Sequence, residues 1–209
     1  MGQRVPSYRR DQLRLPAAER LRQITAVSAA LIAECGYWGL SMQDVADRCG
    51  LTVPGVLRHV GSKSGLLIAV LAHRDLQDAR SLREQLGVGE DEVPDEWSEG
   101  GPDGVDLRQL CLATMRRNAE QPEIVRLFAV LEVEALTPSH PAHDYFVKRQ
   151  RQALAAFTNL AKAGSDHPEA LARQIMAMMD GLQIQWLRSP ETIDLVREWE
   201  QAAALLFGV

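Results

Sequence analysis

The residues of this chain best suited to binding an anion lie close together between positions 52 and 63. Arg58 and His59 are neighbouring hydrogen-bond donors, and Lys63 follows them with a further positive charge. Pro54 and Gly55 come just before, and their small bulk would let the backbone approach a ligand closely. Side chains of these types bind phosphates and the edges of nucleic-acid bases, so the stretch predicts contact with nucleic acid.

Short helices must position these donors, and the sequence marks where each helix begins and ends. Ser41 is a good N-cap for a helix over 41–49, and Thr52 is a good N-cap for a helix over 52–60. Gly50 lies between them and suits the turn. Two such helices form a helix-turn-helix, whose second helix enters the major groove of DNA with its N-terminus leading.

Apolar residues at spacings of three and four predict helices along most of the remaining chain. The first begins at Ala17 and stops at Gly36, which can adopt a positive φ. Ser62 caps a fourth helix that runs to about Leu86, and an acidic loop rich in Gly and Pro follows over 87–104. Five later helices are predicted over 106–119, 123–136, 141–163, 168–188 and 192–207. Strand-like alternation is missing from the sequence, so the expected fold class is all-α.

Charge is distributed unevenly between the two parts of the chain. Residues 1–75 contain 10 Lys and Arg against 6 Asp and Glu, whereas residues 76–209 contain 13 against 22. A basic first third on an acidic remainder predicts two roles, one of them near an anion. We therefore expect a three-helix helix-turn-helix domain, with an N-terminal arm, to end near residue 75. The arm is either a disordered tail or a segment that contacts DNA through Arg9 and Arg10.

Composition and motifs argue against several other classes of protein. No apolar run is long enough to span a membrane, and the basic N-terminus lacks the apolar stretch of a secretion signal. The three cysteines form no CxxC motif, so a zinc site or a disulfide framework is not expected. Nucleophile-elbow, Walker, zinc-protease and dinucleotide motifs are missing. We expect a cytoplasmic protein with no catalytic residue, cofactor or metal.

Short motifs spread over residues 17–71 match those of a known family. They are Gly36, Leu40-Ser41, Asp44-Val45-Ala46, Gly50-Leu51-Thr52, the run from Gly55 to Val60, Ser62-Lys63 and Leu66-Leu67. With these motifs the segment resembles the DNA-binding domain of TetR-family transcriptional repressors. The family usually has Tyr where this chain has Leu57, and often Phe where it has Val60. That Tyr commonly contacts a DNA phosphate, so the resemblance implies one backbone contact fewer here.

The resemblance implies a homodimeric, sequence-specific DNA-binding transcriptional regulator, and more specifically a ligand-responsive repressor. The residues expected at DNA are Ser41, Gln43, Thr52, Val53, Pro54, Gly55, Leu57, Arg58, His59 and Lys63. An alternative is a helical small-molecule-binding or adaptor protein whose helix-turn-helix does not read DNA. Salt-dependent binding of double-stranded DNA would separate the two possibilities.

The second domain of the family, expected here over 76–209, is helical, binds a small-molecule effector and dimerises through its last two helices. The stretch 179–191 resembles the penultimate helix of many members. Several residues of the last two helices are expected to be buried between subunits, from the set Met178, Leu182, Ile184, Gln185, Leu195, Trp199 and Leu206.

The effector is expected to be mainly apolar, because Met and aromatic residues suited to such a pocket recur in the second domain. The residues expected to line the pocket are Trp97, Cys111, Met115, Phe128, Glu132, Tyr145, Phe146, Met179 and Trp186. Glu132 lies among apolar residues, and a buried carboxylate there would need a partner such as Arg116 or a cationic ligand. For the methionines, plain packing in the core or the dimer is an equally good interpretation.

Overall fold

The computed structural model describes residues 15–87 and 105–208, and within these two ranges the chain forms α-helices and no strand. The helices are α1 (Ala17–Gly39), α2 (Met42–Cys49), α3 (Val53–Val60), α4 (Lys63–Leu86), α5 (Leu107–Ala119), α6 (Pro122–Glu134), α7 (His143–Ala161), α8 (Pro168–Arg188) and α9 (Leu195–Phe207). The predicted all-α fold class is confirmed. None of the described helices is both long and apolar enough to cross a membrane. Most of the predicted N-terminal arm, and Trp97 in the acidic loop, lie outside the described residues.

The helix-turn-helix begins and ends where its capping residues predict. The Ser41 hydroxyl accepts the backbone N–H of Gln43 at 3.2 Å, and the Thr52 hydroxyl accepts that of Gly55 at 3.2 Å. Gly50 ends α2 with φ 65° and ψ 34°, a left-handed conformation that favours glycine. Local capping therefore sets the length of both short helices.

The first helix is interrupted where the sequence predicts its end, but it does not stop there. Gly36 has φ 71° and ψ 175°, which is outside helical geometry. The chain then returns to helical geometry for residues 37–39, before the extended Leu40. This extra turn, which the sequence analysis missed, contacts α6.

A first hydrophobic cluster supports the helix-turn-helix. It contains Ile32 of α1, Val56 of α3 and Leu67 of α4, all fully buried. Leu127 and Leu131 of α6 belong to the same cluster and are also fully buried. Because each side chain of this size contributes about 1.5–3 kcal/mol on burial, α6 contributes substantially to the cluster in which Val56 anchors α3.

A second hydrophobic cluster is formed by α5, α8, α9 and the later parts of α4 and α7. Met115 and Ile175 lie at its centre with no exposed surface. Leu195 and Trp199 of α9 are each only 1% exposed within it. These two of the seven candidate interface residues therefore do not lie between subunits, because they already pack inside their own chain.

The long helix α4 joins the two clusters. Leu67 near its start lies in the first cluster, and Leu82 near its end lies in the second. The predicted domain boundary at residue 75 falls inside this helix, so α4 is shared by both halves of the chain.

A network of polar side chains fixes the middle of α4 against α5 and α7. Asp78 lies 3.4 Å from Arg74 and 3.9 Å from Arg117, measured between carboxylate oxygen and guanidinium nitrogen. Burial raises the pKa of Asp78, while the two arginines oppose that shift. The Tyr145 hydroxyl of α7 donates a hydrogen bond to Asp75. Partly buried charges are thus paired across three helices, as burial requires.

Candidate nucleic-acid interface

Helix α3 is anchored on one side and exposed on the other. Val56 is fully buried and attaches the helix to the first cluster. Thr52, Pro54 and Arg58 are exposed, and His59 is half-buried. Because residues four apart share one face of a helix, Pro54 and Arg58 project in the same direction. This face can enter the major groove of DNA without any rearrangement of the hydrophobic core.

The first turn of α3 offers few free backbone N–H donors. Pro54 has no N–H, and the N–H of Gly55 is bound to the Thr52 hydroxyl. This leaves Val53 to offer its N–H to a phosphate. A Cβ on Gly55 would lie 3.3 Å from the Thr52 hydroxyl oxygen, so glycine also relieves crowding at this cap.

Other residues predicted to contact DNA lie at the start of α2 and in α3, and two of them already form hydrogen bonds within the chain. Ser41 serves as the cap of α2, as described above. Gln43 is exposed, and its side-chain amide donates to the Asp47 carboxylate at 2.8 Å. Leu57 is half-buried. Gln43 must therefore exchange its bond with Asp47 before it can reach a base or a phosphate.

Lys63, the first residue of α4, has its ammonium held in place. Its Nζ lies 3.5 Å from the carbonyl oxygen of Trp38 and 4.7 Å from the centre of the Tyr37 ring. A cation over an aromatic face is attracted by the negative charge of that face. The predicted phosphate-binding lysine is thus fixed by two residues from the extra turn of α1.

A carboxylate from α6 reaches the same extra turn. Glu134 Oε2 accepts the backbone N–H of Tyr37 at 2.8 Å. A Cβ on Gly36 would overlap Glu134 Oε1, so only glycine leaves room for this carboxylate. The interruption of α1 and the position of Glu134 therefore depend on each other.

His140, in the loop between α6 and α7, packs against Tyr37 and Glu134. Its ring is edge-on to those of Tyr37 and Trp38, with ring centres 5.1 and 5.6 Å away. Its Nδ1 accepts the N–H of Ala142 at 3.2 Å, so in the neutral ring the proton lies on Nε2. That Nε2 is 3.7 Å from Glu134 Oε2. Burial lowers the pKa of His140, and Glu134 opposes that shift.

We call Gly36, Tyr37, Lys63, Glu134 and His140 the α1–α6 junction. No sequence pattern predicts this junction, because it joins residues far apart in the chain. Gly36 is its one local signal, and by itself that glycine indicates only the end of a helix.

The structure divides the predicted ligand-binding residues into two groups. Phe128, Tyr145 and Phe146 form an aromatic group in the first cluster, with ring centres 6.3 Å apart for Phe128–Phe146 and 5.1 Å apart for Tyr145–Phe146. Phe128 and Tyr145 are half-buried, so this group has an accessible side. The other group is buried in the second cluster and comprises Cys111, Met115, Met179 and Trp186.

Glu132 is exposed, so the expectation of a buried carboxylate at this position is wrong. Its neighbours in the sequence are apolar, but its own side of α6 faces outward. Arg116, the partner suggested for it, instead lies 4.0 Å from Glu200. Across the two described ranges, His, Cys, Asp and Glu form no group of three that could hold a metal ion.

Exposed apolar side chains and an open groove mark the outer face of α8 and α9. Leu205 is 85% exposed and Met178 is 38% exposed. The groove has a volume of about 350 Å³ and is lined by Gln174, Ala177, Met178, Gly181, Leu182, Gln185 and Leu206. It contains none of the predicted ligand-binding residues, whereas Met178, Leu182, Gln185 and Leu206 were expected between subunits.

Comparison with known sequences points to the same segment as the geometry. Residues 24–70 match the description "Bacterial regulatory proteins, tetR family". A stretch of 58 residues is 36% identical to the HTH-type transcriptional activator FasR of Mycolicibacterium smegmatis. The match covers 28% of this chain and 26% of FasR, so it spans about a quarter of that relative.

Solved structures resemble the chain over nearly its whole length. A transcriptional regulator from Rhodococcus sp. Rha1 superimposes with a TM-score of 0.70 at 20% identity, covering 90% of this chain and 94% of that one. FadR from Bacillus subtilis, solved in complex with stearoyl-CoA, superimposes with a TM-score of 0.67 at 14% identity, covering 89% and 97%. At such identities the similarity establishes the shared fold.

Proposed function

We propose that this chain is a regulator of the TetR family: a sequence-specific DNA-binding transcriptional regulator acting as a ligand-responsive repressor. The match of residues 24–70 to the bacterial tetR regulatory proteins supports the proposal. The observation that carries the proposal is the exposed face of α3, with Pro54 and Arg58 one turn apart and Thr52 at its leading end. Lys63 adds a fixed positive charge beside this face. A helix of this size fits the major groove of DNA, where the Arg58 side chain can donate hydrogen bonds to base edges. The Lys63 ammonium beside the helix can bind a neighbouring phosphate.

Substituting Lys63 and Arg58 separately should change DNA binding in different ways. Lys63→Ala should weaken binding to every duplex and reduce the slope of log K against log salt by about one unit, as one lost phosphate contact would. Arg58→Ala should instead relax the sequence preference, by about 1–3 kcal/mol at the base pair contacted. Titrations at several salt concentrations measure both effects, using a duplex that the unmodified protein selects from a random-sequence library.

Lys162→Ala is the matched control, because it removes the same charge from an exposed lysine at the end of α7. It should leave both the salt slope and the sequence preference unchanged. If neither Lys63→Ala nor Arg58→Ala altered binding to the selected duplex, α3 would not be the reading helix. If the unmodified protein selected no duplex at all, the adaptor alternative would be favoured.

The proposed effector is a mainly apolar small molecule bound against Phe128, Tyr145 and Phe146. The guanidinium of Arg149 lies 4.9 Å from the centre of the Phe128 ring, which places a polar group at the edge of an apolar surface. These aromatic residues pack on the cluster that supports α3, so a ligand there would contact that support. FadR of B. subtilis, which shares the fold, was solved with stearoyl-CoA, a ligand with a long apolar chain.

A thermal-shift screen of apolar compounds should find ligands that raise the melting temperature. A ligand at a hundred times its Kd should add about 2.7 kcal/mol to the free energy of unfolding. Such a ligand should also change affinity for the selected duplex, because a compound with equal affinity for both states shifts nothing. Phe128→Ala should remove both effects, and Val133→Ala, an exposed position on the same helix, should remove neither. Ligands that stabilise the protein but never change DNA affinity would contradict an effector role.

The dimer of the proposed repressor would form through the outer face of α8 and α9. Leu205 and Met178 are exposed there in the single chain, and the groove beside Met178 gives room for a side chain of a second copy. A two-fold interface uses the same surface of both copies, so each would fill the groove of the other.

A further inference from the structure

Tyr37 of the α1–α6 junction makes polar contacts with three residues from two other helices. Its backbone N–H donates to Glu134 of α6 at 2.8 Å, and its hydroxyl oxygen lies 3.1 Å from that of Ser64 in α4. The face of its ring lies 4.7 Å from the ammonium of Lys63. Tyr37 is 5% exposed, so these contacts, rather than solvent, determine its position.

The bond to Glu134 exists because α1 is interrupted. At Gly36 the backbone leaves helical geometry, so the next N–H needs an acceptor outside the regular helix. A buried N–H without an acceptor is costly, and Glu134 supplies one from α6. His140 packs against both partners and limits where the carboxylate can move. The position of Tyr37 therefore depends on the position of α6.

The position of the Lys63 ammonium depends in turn on Tyr37. A lysine carries its charge on a flexible four-carbon stem, so an unrestrained ammonium samples many positions. Here the Tyr37 ring and the Trp38 carbonyl oxygen restrain it at the start of α4. A charge that is already ordered loses less conformational freedom when it binds a phosphate.

We propose that Tyr37 is a positioning residue for DNA binding: Glu134 holds it from α6, and it holds the Lys63 ammonium where a phosphate binds. The inference rests on the proposed function and adds a connection through which α6 controls one phosphate contact. When Glu134 moves away from Tyr37, Lys63 is released, and the contact weakens for every DNA sequence alike. The consequence is a change in salt dependence without a change in sequence preference.

The test compares Glu134→Ala with Lys63→Ala on the duplex that the unmodified protein selects from random sequence. Glu134→Ala should reduce the salt slope by about one unit, as Lys63→Ala does. In the double variant the slope should fall no further, because the two substitutions remove the same contact. Glu134→Gln keeps an acceptor oxygen for the Tyr37 N–H and should restore the slope. Glu123→Ala, exposed in the first turn of α6, is the control and should leave the slope unchanged.

Two results from the Glu134 and Lys63 variants would overturn the inference and leave the proposed function intact. One is an unchanged slope for Glu134→Ala, and the other is a double variant in which the two losses add in full. If circular dichroism shows that Glu134→Ala does not fold, the salt slopes of Tyr37→Phe and Tyr37→Leu test the inference instead. The Phe variant keeps a ring beneath Lys63 and should keep the slope, whereas the Leu variant should lose about one unit. Equal slopes for these two would also overturn the inference, and a protein that selects no duplex would remove it together with the proposed function.

Discussion

Replacing Gly36 by alanine should lower the free energy of unfolding by roughly 2.5–6 kcal/mol, because two costs add. The backbone at φ 71° and ψ 175° is accessible essentially only to glycine, and another residue there costs about 1–3 kcal/mol. The new Cβ would also overlap Glu134 Oε1. Moving that carboxylate away from the Tyr37 N–H breaks a hydrogen bond to a charged group, at about 1.5–3 kcal/mol.

Urea unfolding followed by circular dichroism measures this loss, and Gly87→Ala is the matched control. Gly87 also has a positive φ, of 67°, but a Cβ there would meet nothing within 4 Å. Gly87→Ala should lower the free energy of unfolding by about 1–2 kcal/mol, which is the cost of a left-handed backbone conformation for alanine. If Gly36→Ala cost no more than Gly87→Ala, the contact between Gly36 and Glu134 would contribute nothing to stability.

Leu205→Glu should convert the proposed dimer into a monomer at micromolar concentration. In a two-fold interface the substitution occurs in both copies, so two unpaired carboxylates are buried on association. Each costs several kcal/mol, and at ~3 kcal/mol each the association weakens by about ten-thousandfold. Because Leu205 is 85% exposed within one chain, the fold of the protomer should be unaffected.

Sedimentation equilibrium measures the mass of each variant, and Leu136→Glu is the control. Leu136 is 75% exposed in the loop after α6 and belongs to neither α8 nor α9, so its substitution should leave the dimer intact. A dimeric Leu205→Glu variant would place the interface elsewhere. Sedimentation of the unmodified protein as a monomer would contradict the proposed dimer itself.

The helix boundaries could be predicted because the signals that set them are local. The hydroxyls of Ser41 and Thr52 bind N–H groups two or three residues further on, and Gly50 takes its conformation without help from distant residues. The helix predicted over 168–188 matches α8 at both ends, beginning at Pro168. Proline suits the first turn of a helix because its missing N–H would have no helical acceptor there.

The contacts between distant segments could not be predicted in this way. Tyr37 and Glu134 are 97 positions apart, and no periodicity connects them. In α9, apolar spacing identifies a helix but does not say that Trp199 faces its own chain while Leu205 faces outward. The same ambiguity misplaced Glu132. The residues expected to contact DNA and the effector remain predictions, because they depend on partners outside the chain.

The first hydrophobic cluster also determines which helices unfold together. Leu127 and Leu131 fill the same core as Val56, so opening α6 uncovers that core and the side of α1 that packs on α6. Elements that share a core in this way open together as one cooperative unit, with a common free energy of opening. A fragment ending at residue 75 would expose the side of α1 that packs on α6, and would lack part of its own core. We therefore expect the half that is proposed to contact DNA to fold incompletely when α6 is missing.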